Sequence, residues 1–338
     1  MLGNVLIALA PVFIWSFIIY PIPSLQIYPI SVVTCLASEF VFILITKKKV
    51  SEFKIENILS AIITGIIYAM CLPTDLSFSN GLGYFIVFIG ALLGMILGKL
   101  VFGGFGNNIF NPAALGMVIV RAGWGSKLGV GESAFPDWVE AGGTHFFGGS
   151  FSEIANVNLL DSFLGRAPGA LGETFAIAIL IGLVYLLVTK TIDWRVVVSF
   201  FGTFVVLMLA AGIVVQVKLP ESGVNAGKFL LYQLLSGGVL FGGVYMMTDP
   251  VTGPAGSPAR YIYGAFGAIM VTFIRLFMHV GGVGYSILFA NLLACVLDYP
   301  QWTSSRWKKW HIITLPVMIV VALAAVILVL VFKEGAVA

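Results

Sequence analysis

"GKLVFGGFGNNIFNPAALGMV" (residues 98–118) and "IRLFMHVGGVGYSILFANLLACV" (residues 274–296) share the pattern GGxGxxI. Gly103, Gly104, Gly106 and Ile109 of the first match Gly281, Gly282, Gly284 and Ile287 of the second. Upstream of each lies an apolar run that stops at Thr-Asp, "YAMCLPTDL" at Thr74-Asp75 and "YMMTDPV" at Thr248-Asp249. Two landmarks recurring in the same order point to a duplicated unit, and the duplication decides how the remaining elements are grouped.

Hydropathy shows what the unit is made of. The chain has 338 residues, 59% apolar and only 10% charged, with a mean hydropathy of +1.05, whereas soluble domains carry roughly 25% charged residues. Apolar runs approaching the ~20 residues that cross a bilayer fall at 3–20, 28–46, 57–72, 82–101, 109–121, 172–189, 195–216, 228–247, 261–278, 283–297 and 312–332. This predicts an all-α polytopic membrane protein with about ten to eleven transmembrane helices. Five runs per repeat is an odd number, so the two copies must cross the membrane in opposite senses. The expected organisation is a first five-helix repeat over 1–121, an extracytoplasmic loop over 122–171, a second, inverted repeat over 172–298, and a cytoplasmic loop with an extra C-terminal helix over 299–338.

Lysine and arginine set the orientation, because they accumulate in cytoplasmic loops. Placing "TKKKVSEFKIE" inside puts Lys47, Lys48, Lys49, Lys54, Lys99, Lys190, Arg195, Arg260, Arg306, Lys308 and Lys309 on the cytoplasmic side. Arg121, Lys127, Arg166, Lys218, Lys228 and Lys333 then lie outside, with Arg275 inside a span. The N-terminus is expected to be cytoplasmic, Thr74-Asp75 outside and Thr248-Asp249 inside.

The two interrupted segments, "GGFGNNIFNPA" and "TDPVTGP", carry polar groups next to apolar runs. Irregular backbone at membrane depth is tolerated where it is buried in protein or lines a cavity, and paired broken helices in inverted repeats are how many transporters place a ligand site. The segments are therefore expected to offer polar groups to a shared interior, with ordinary surface loops as the alternative. Three asparagines beside "AALGMVIV" weigh against that alternative, since Asn is costly beside lipid unless paired.

At these residues the chain resembles a known family. "GKLVFGGFGNNIFNPAALG", "LLDSFLGRAPGALGET", "GGVYMMTDPVTGP", "IRLF" and "ILFANLLACVLD" are similar, in order and spacing from about residue 60 to 298, to the D subunit of the Rnf complex and the homologous B subunit of sodium-pumping NADH:quinone reductase. "MLGNVLIALAP" is closer to the first span of the Rnf protein. The resemblance implies a urea-transporter-like inverted-repeat fold with broken helices at its centre, in a bacterial cytoplasmic (inner) membrane. It implies a flavin-carrying subunit of an ion-translocating ferredoxin:NAD+ oxidoreductase, moving Na+ or H+ outward with partner subunits of the Rnf A, B, C, E and G type. The B subunit of the quinone reductase is the alternative, followed by a flavin-free small-solute channel of the same fold.

Family members attach FMN by a phosphoester to the Thr of a Ser-Gly-Ala-Thr-like motif in the large outer loop. The matching stretch here is "AGGT", which makes Thr144 the candidate. Ala141 and Gly143 depart from the motif and His145-Phe146 from its continuation, so an unmodified loop threonine is the alternative. A noncovalent flavin, riboflavin by the resemblance, is expected at the interrupted segments. Asn107, Asn108, Asn111, Thr248, Asp249 and Thr252 can bond an isoalloxazine edge, and Phe105 and Phe110 can wall it.

Ionisable residues inside spans are functional hypotheses by default. Glu39 in "CLASEFVFIL", Glu173 in "GET", Asp249 and Asp298 are the candidates for the ion path, because a dehydrating cation needs oxygen ligands. Glu173 and Asp298 are also readable as solvated helix-end charges, and Arg275 as the structural partner of a buried acid. Cys35, Cys71 and Cys295 are isolated packing residues, and His145, His279 and His311 show no metal-ligand spacing. Lys308-Lys309 among Trp302, Trp307 and Trp310 reads as an interfacial anchor, which leaves no nucleic-acid role. Gly65, Gly90, Gly94 and Gly98 are expected to permit close helix packing.

Overall fold

A computed structural model describes residues 1–47, 50–74, 76, 78, 81–125, 128, 154, 157–165, 169–278, 282–300 and 303–332. Ten of the eleven apolar runs each coincide with one helix, and the run 228–247 is divided between two. In chain order these are α1 Leu2–Ile19, α2 Pro21–Lys47, α3 Ile55–Met70, α4 Leu82–Met95 prolonged by a π turn at Ile96–Leu100, and α5 Pro112–Trp124. A short α6 covers Leu159–Phe163, followed by α7 Ala176–Val188, α8 Trp194–Lys218 and α9 Ala226–Leu235. Then come α10 Val239–Phe241 with a π turn at Gly242–Met246, α11 Ser257–Phe277, α12 Gly282–Leu297 and α13 Lys309–Phe332.

Among the described residues six helices are long and apolar enough to cross a membrane, or seven if α9 and the stretch Val239–Met246, bent by 64°, are one span. The other four, α3, α5, α7 and α12, are 13 to 16 residues long. Three of these short helices adjoin irregular backbone among the described residues: α3 runs into 71–74, α5 begins after 101–111, and α7 after 169–175.

The chain forms two compact units: Met1–Ala134 with Pro168–Ile192, and Phe135–Ala167 with Asp193–Ala338. The sequence repeat and the compact units divide the chain differently, since α7 opens the second repeat but packs in the first unit. Trp15 of α1 stacks on Phe175 beside α7 at 3.9 Å, and Asn4 Nδ2 donates to Thr191 Oγ1 at 3.0 Å. The end of α3 is met by the segment before α7, where Leu171 N–H donates to Leu72 O and Gly172 N–H to Met70 O at 3.1 and 2.9 Å. Backbone groups that the helix end leaves open are thus satisfied.

Glycines set the closest approaches in the first unit. A Cβ on Gly65 would lie 2.8 Å from Val32 Cα, one on Gly94 2.5 Å from Pro112 O, and one on Gly116 2.5 Å from Gly90 O. The packing role expected for Gly65, Gly90, Gly94 and Gly98 is the one observed. Asn111 caps α5, its Oδ1 accepting the N–H groups of Ala113 and Ala114 at 3.1 Å each, with Pro112 at the first helical position. "NPAA" is a strong start signal because both residues relieve otherwise unpaired N–H groups.

In the second unit α8 and α11 are the central pair. A Cβ on Gly264 would meet Val196 O at 2.7 Å, and α13 lies on both helices through Leu207, Ile269 and Ala322. Asp193 caps α8 and pairs with Arg195 and Arg260.

Candidate functional site

In the first unit α4 does not end as an α-helix. Its last turn widens to i→i+5 bonding, with Val101 N–H reaching Ile96 O at 3.0 Å and Gly104 N–H reaching Lys99 O at 3.1 Å. The chain then passes through Gly103, Gly104 and Gly106 at φ +115°, +86° and +88°. Side chains other than glycine rarely adopt these left-handed values, so the glycines of the repeat motif are there to turn the backbone.

Beneath this break lies a buried ion pair. Glu39 of α2 and Lys99 of the π turn are both 0% exposed, with Lys99 Nζ 2.8 Å from Glu39 Oε2. Lys99 Nζ also donates to Ser60 Oγ at 3.0 Å, and Asn57 Nδ2 donates to Glu39 Oε1 at 3.1 Å, both from α3. The ammonium approaches Oε2 outside hydrogen-bond geometry, so that oxygen accepts no directed bond. The ring of Phe105 faces the ammonium at 5.9 Å, and a Cβ on Gly104 would come within 3.9 Å of Glu39 Oε1.

This overturns one assignment. Lys99, counted above among cytoplasmic loop charges, is instead the buried partner of Glu39, because the π turn rolls its side chain inward. The loop bias stands without it. Among the asparagines, Asn107 is exposed and Asn111 has its Oδ1 committed to the α5 cap, while Asn108 presents a buried Oδ1 with no hydrogen-bond partner. Phe105 is exposed and Phe110 half-buried.

The second unit repeats the theme with different chemistry. A π turn at Gly242–Met246, with Met247 N–H bonded to Gly242 O at 2.7 Å, leads into the irregular segment 247–256. Thr248 is buried, its hydroxyl donating back to Val244 O. Asp249 Oδ1 caps Val251 N–H at 3.0 Å. Thr252 is 4% exposed with its hydroxyl set beside Tyr263 Oη, and its carbonyl accepts from Asn291 Nδ2, which also donates to Tyr263 Oη at 2.9 Å. Asp298 is exposed, and both its oxygens receive Ala255 N–H, at 2.9 and 3.1 Å. Glu173 is half-buried in the turns before α7.

Arg275, 1% exposed near the end of α11, donates to the carbonyls of Gln233, Ser236 and Gly237 where α9 breaks from α10. Sequence reasoning read 228–247 as one run and missed this break, although Gly237 and Gly238, at φ +60° and +74°, were its signal. It also missed Asn57, Ser60, Tyr263 and Asn291. An Asn inside "LFANLLACV" was visible in the sequence as a polar group needing a partner; which partner depends on the fold.

A flavin needs polar groups at its edge. Asn108 Oδ1, a buried atom with no hydrogen-bond partner, fits that requirement in the first unit. A cavity of about 400 Å³ between α2 and α4, lined by Phe42, Ile45, Phe88, Leu92 and Leu100, is almost wholly apolar and does not. Thr144 lies outside the described residues. Among the described residues no group of three or more His, Cys, Asp or Glu could hold a metal ion.

The sequence model of the NQR2, RnfD, RnfE family matches residues 1–306. The B subunit of the Na+-translocating NADH-quinone reductase of Chromohalobacter salexigens is 32% identical over 70% of this chain, and the chain spans 57% of that relative's length. The D subunit of the proton-translocating ferredoxin:NAD+ oxidoreductase complex of Clostridium ljungdahlii is 27% identical over 87% of both chains. The D subunit of the ion-translocating oxidoreductase complex of Halorhodospira halophila is 27% identical over 87% of this chain and 86% of its own.

Proposed function

The chain belongs to the NQR2, RnfD, RnfE family, and from that membership we propose that it is a multi-pass membrane component of an ion-translocating oxidoreductase. The observation that carries the reading is a fully buried carboxylate, Glu39, set under a glycine-rich helix break in a chain of this family. A buried carboxylate is costly unless it is protonated, paired or bound to a cation, and such sites mark ion pathways in membrane proteins. Glu173, Asp249 and Asp298 remain candidates for the ends of the path, where each is half-buried or exposed.

The finer reading is an Rnf-type ferredoxin:NAD+ oxidoreductase, supported by the likeness of the first apolar run to that of the Rnf relatives. It places the chain in a bacterial cytoplasmic membrane with its N-terminus inside, beside partners of the Rnf A, B, C, E and G type. We further propose flavin at two places: FMN joined to Thr144, and a noncovalent riboflavin at a helix break, either the first, with Asn107 and Asn108 at its polar edge and Phe105 and Phe110 as apolar walls, or the second, with Thr248, Asp249 and Thr252 at its polar edge. A bound flavin supplies reversible uptake of one or two electrons, and the chain's own residues supply position, polarity and exclusion of water.

The test is purification of the membrane complex through a tag on this chain. Yellow material containing iron–sulfur proteins, and reducing NAD+ from reduced ferredoxin, is the expected result. Activity from NADH to quinone instead would move the assignment to the quinone reductase. A colourless chain that purifies alone and lets small solutes through vesicles would sink the redox reading. A denaturing gel under ultraviolet light tests Thr144: the fluorescent band should vanish in Thr144→Ala.

A further inference from the structure

The Glu39–Lys99 pair carries an inference that rests on the ion-path reading of Glu39 and goes a step past it. The site holds one negative and one positive charge, both at 0% exposure. A buried carboxylate stripped of its cation is an uncompensated charge, which is strongly unfavourable, and a second cation brought to a site at 0% exposure would leave a net positive charge out of water, which is also costly. Glu39 therefore has room for one positive charge. In this structure that charge is the ammonium of Lys99, attached to the chain and resting 2.8 Å from Oε2.

Three further observations bear on how firmly it is held. Lys99 is not locked into a fork: its other recorded partner is the single hydroxyl of Ser60, and its contact with Oε2 lies outside hydrogen-bond geometry. Its backbone belongs to a π turn, which has one residue more than an α turn and recurs at functional positions. The glycine-rich break that follows runs past the carboxylate itself, with Gly104 beside Oε1 and the exposed Gly103, Phe105 and Gly106 around it. Among the described residues, the titratable groups around the ammonium are Glu39 and the Cys35 thiol one turn before it on α2, with Tyr68 of α3 beyond Cys35. The remaining neighbours, Asn57, Ser60 and Phe105, are neutral.

We propose that Lys99 is a tethered counter-cation that holds the seat at Glu39 which a transported monovalent cation takes, the two excluding one another at Oε2. Between transport events the ammonium keeps the carboxylate neutralised. During transport it moves off as the incoming cation arrives, and by returning it helps to expel that cation. The competition weakens the apparent affinity of the seat, which transport requires, since binding must be favourable enough to enter and weak enough to leave. No covalent bond changes in this exchange.

The experiment uses the intact complex in vesicles. Redox turnover and ²²Na+ uptake are measured against Na+ concentration, and, in Na+-free buffer, turnover and acidification of the vesicle interior are measured against pH. Lys99→Met removes the competitor, so the half-saturating cation concentration should fall about tenfold while maximal turnover drops, a split between apparent affinity and rate. Lys99→Arg keeps the charge but presents a planar fork that grips a carboxylate more tightly, so the half-saturating concentration should rise several-fold. Shifts of opposite sign are not expected of a residue that merely packs. If either variant keeps the wild-type value the proposal is overturned, and if Lys99→Met fails to assemble, Lys99→Arg decides alone. Glu39→Gln separates the two levels: normal transport in that variant removes the ion-path reading itself, whereas loss of transport there with unshifted Lys99 variants removes only the tethered cation.

Discussion

Two buried cations stand near the two repeat motifs, two positions out of register with one another. Lys99 in "GKL" and Arg275 in "IRL" each stand near the end of a repeat's fourth helix, just before its Gly-Gly pair, and each reaches the third helix of its own unit. Their surroundings differ. Lys99 meets a carboxylate and one hydroxyl, whereas Arg275 spreads its guanidinium over the carbonyls of Gln233, Ser236 and Gly237. An ammonium on a flexible stem is a movable point charge, and a guanidinium in a ring of acceptors is a pre-organised staple. A buried cation near the same break is thus held by a carboxylate in one unit and by backbone carbonyls in the other, where it closes a helix bent by 64°.

The largest expected effect tests fixation. Arg275→Leu leaves carbonyls at the α9–α10 break without their donor, at a cost of about 3–5 kcal/mol by analogy with breaking one side of a buried ionic contact. The complex should lose its thermal transition in detergent, and no second substitution can rescue it because backbone carbonyls cannot be removed. Lys99→Met should cost a similar ~3–5 kcal/mol through the stranded Glu39, but here Glu39→Gln should restore stability to within about 1 kcal/mol. Rescue in both units, or in neither, would end the contrast.

A smaller effect sharpens the geometry around Lys99. Gly94→Ala sets a methyl 2.5 Å from Pro112 O, and overpacking of this kind costs about 1–3 kcal/mol. Gly123→Ala, with nothing within 4 Å of its Cβ, should change stability by less than about 0.5 kcal/mol. Thermal melts of the pair of variants decide whether α4 and α5 touch as closely as described. Asn111→Ala, which removes the cap of α5, should cost about 1 kcal/mol and is read in the same melts.

A last modest change in stability goes with a functional readout. Thr252→Val removes a buried hydroxyl set beside Tyr263 Oη, so stability should fall by no more than about 1 kcal/mol, the net worth of one hydrogen bond. Flavin released from the denatured complex should fall all the same. Unchanged flavin would mean that the second break does not contribute to the cofactor site.

Much of the helical layout was legible because it is written in long-range hydropathy. All eleven apolar runs are helical, 228–247 as two helices instead of one, and the repeat motif "GGFG" marked a real break because glycine accepts its φ angles where other residues rarely do. What was illegible depended on rotation about a helix axis. Lys99 looks like a loop charge until the π turn rolls it inward, and Asn291 looks like any polar residue in a span until the fold brings Tyr263 and Thr252 to it. The bend at Ser236–Gly238 was hidden by its apolar flanks, which continue the hydropathy straight through it. Thr144 belongs to a stretch whose role rests on motif likeness alone.

The two π turns, Ile96–Leu100 and Gly242–Met246, also bear on how the chain could change length. Each holds one residue more than an α turn would, so deleting a single residue there lets the helix close to ordinary i→i+4 bonding with its flanks still in phase. The same deletion in α8 would rotate everything downstream by roughly 100° and turn the faces carrying Phe204 and Leu207 out of the core. Insertions and deletions should therefore be accommodated at these two turns more readily than elsewhere in the spans, which makes them natural places for related chains to differ in length.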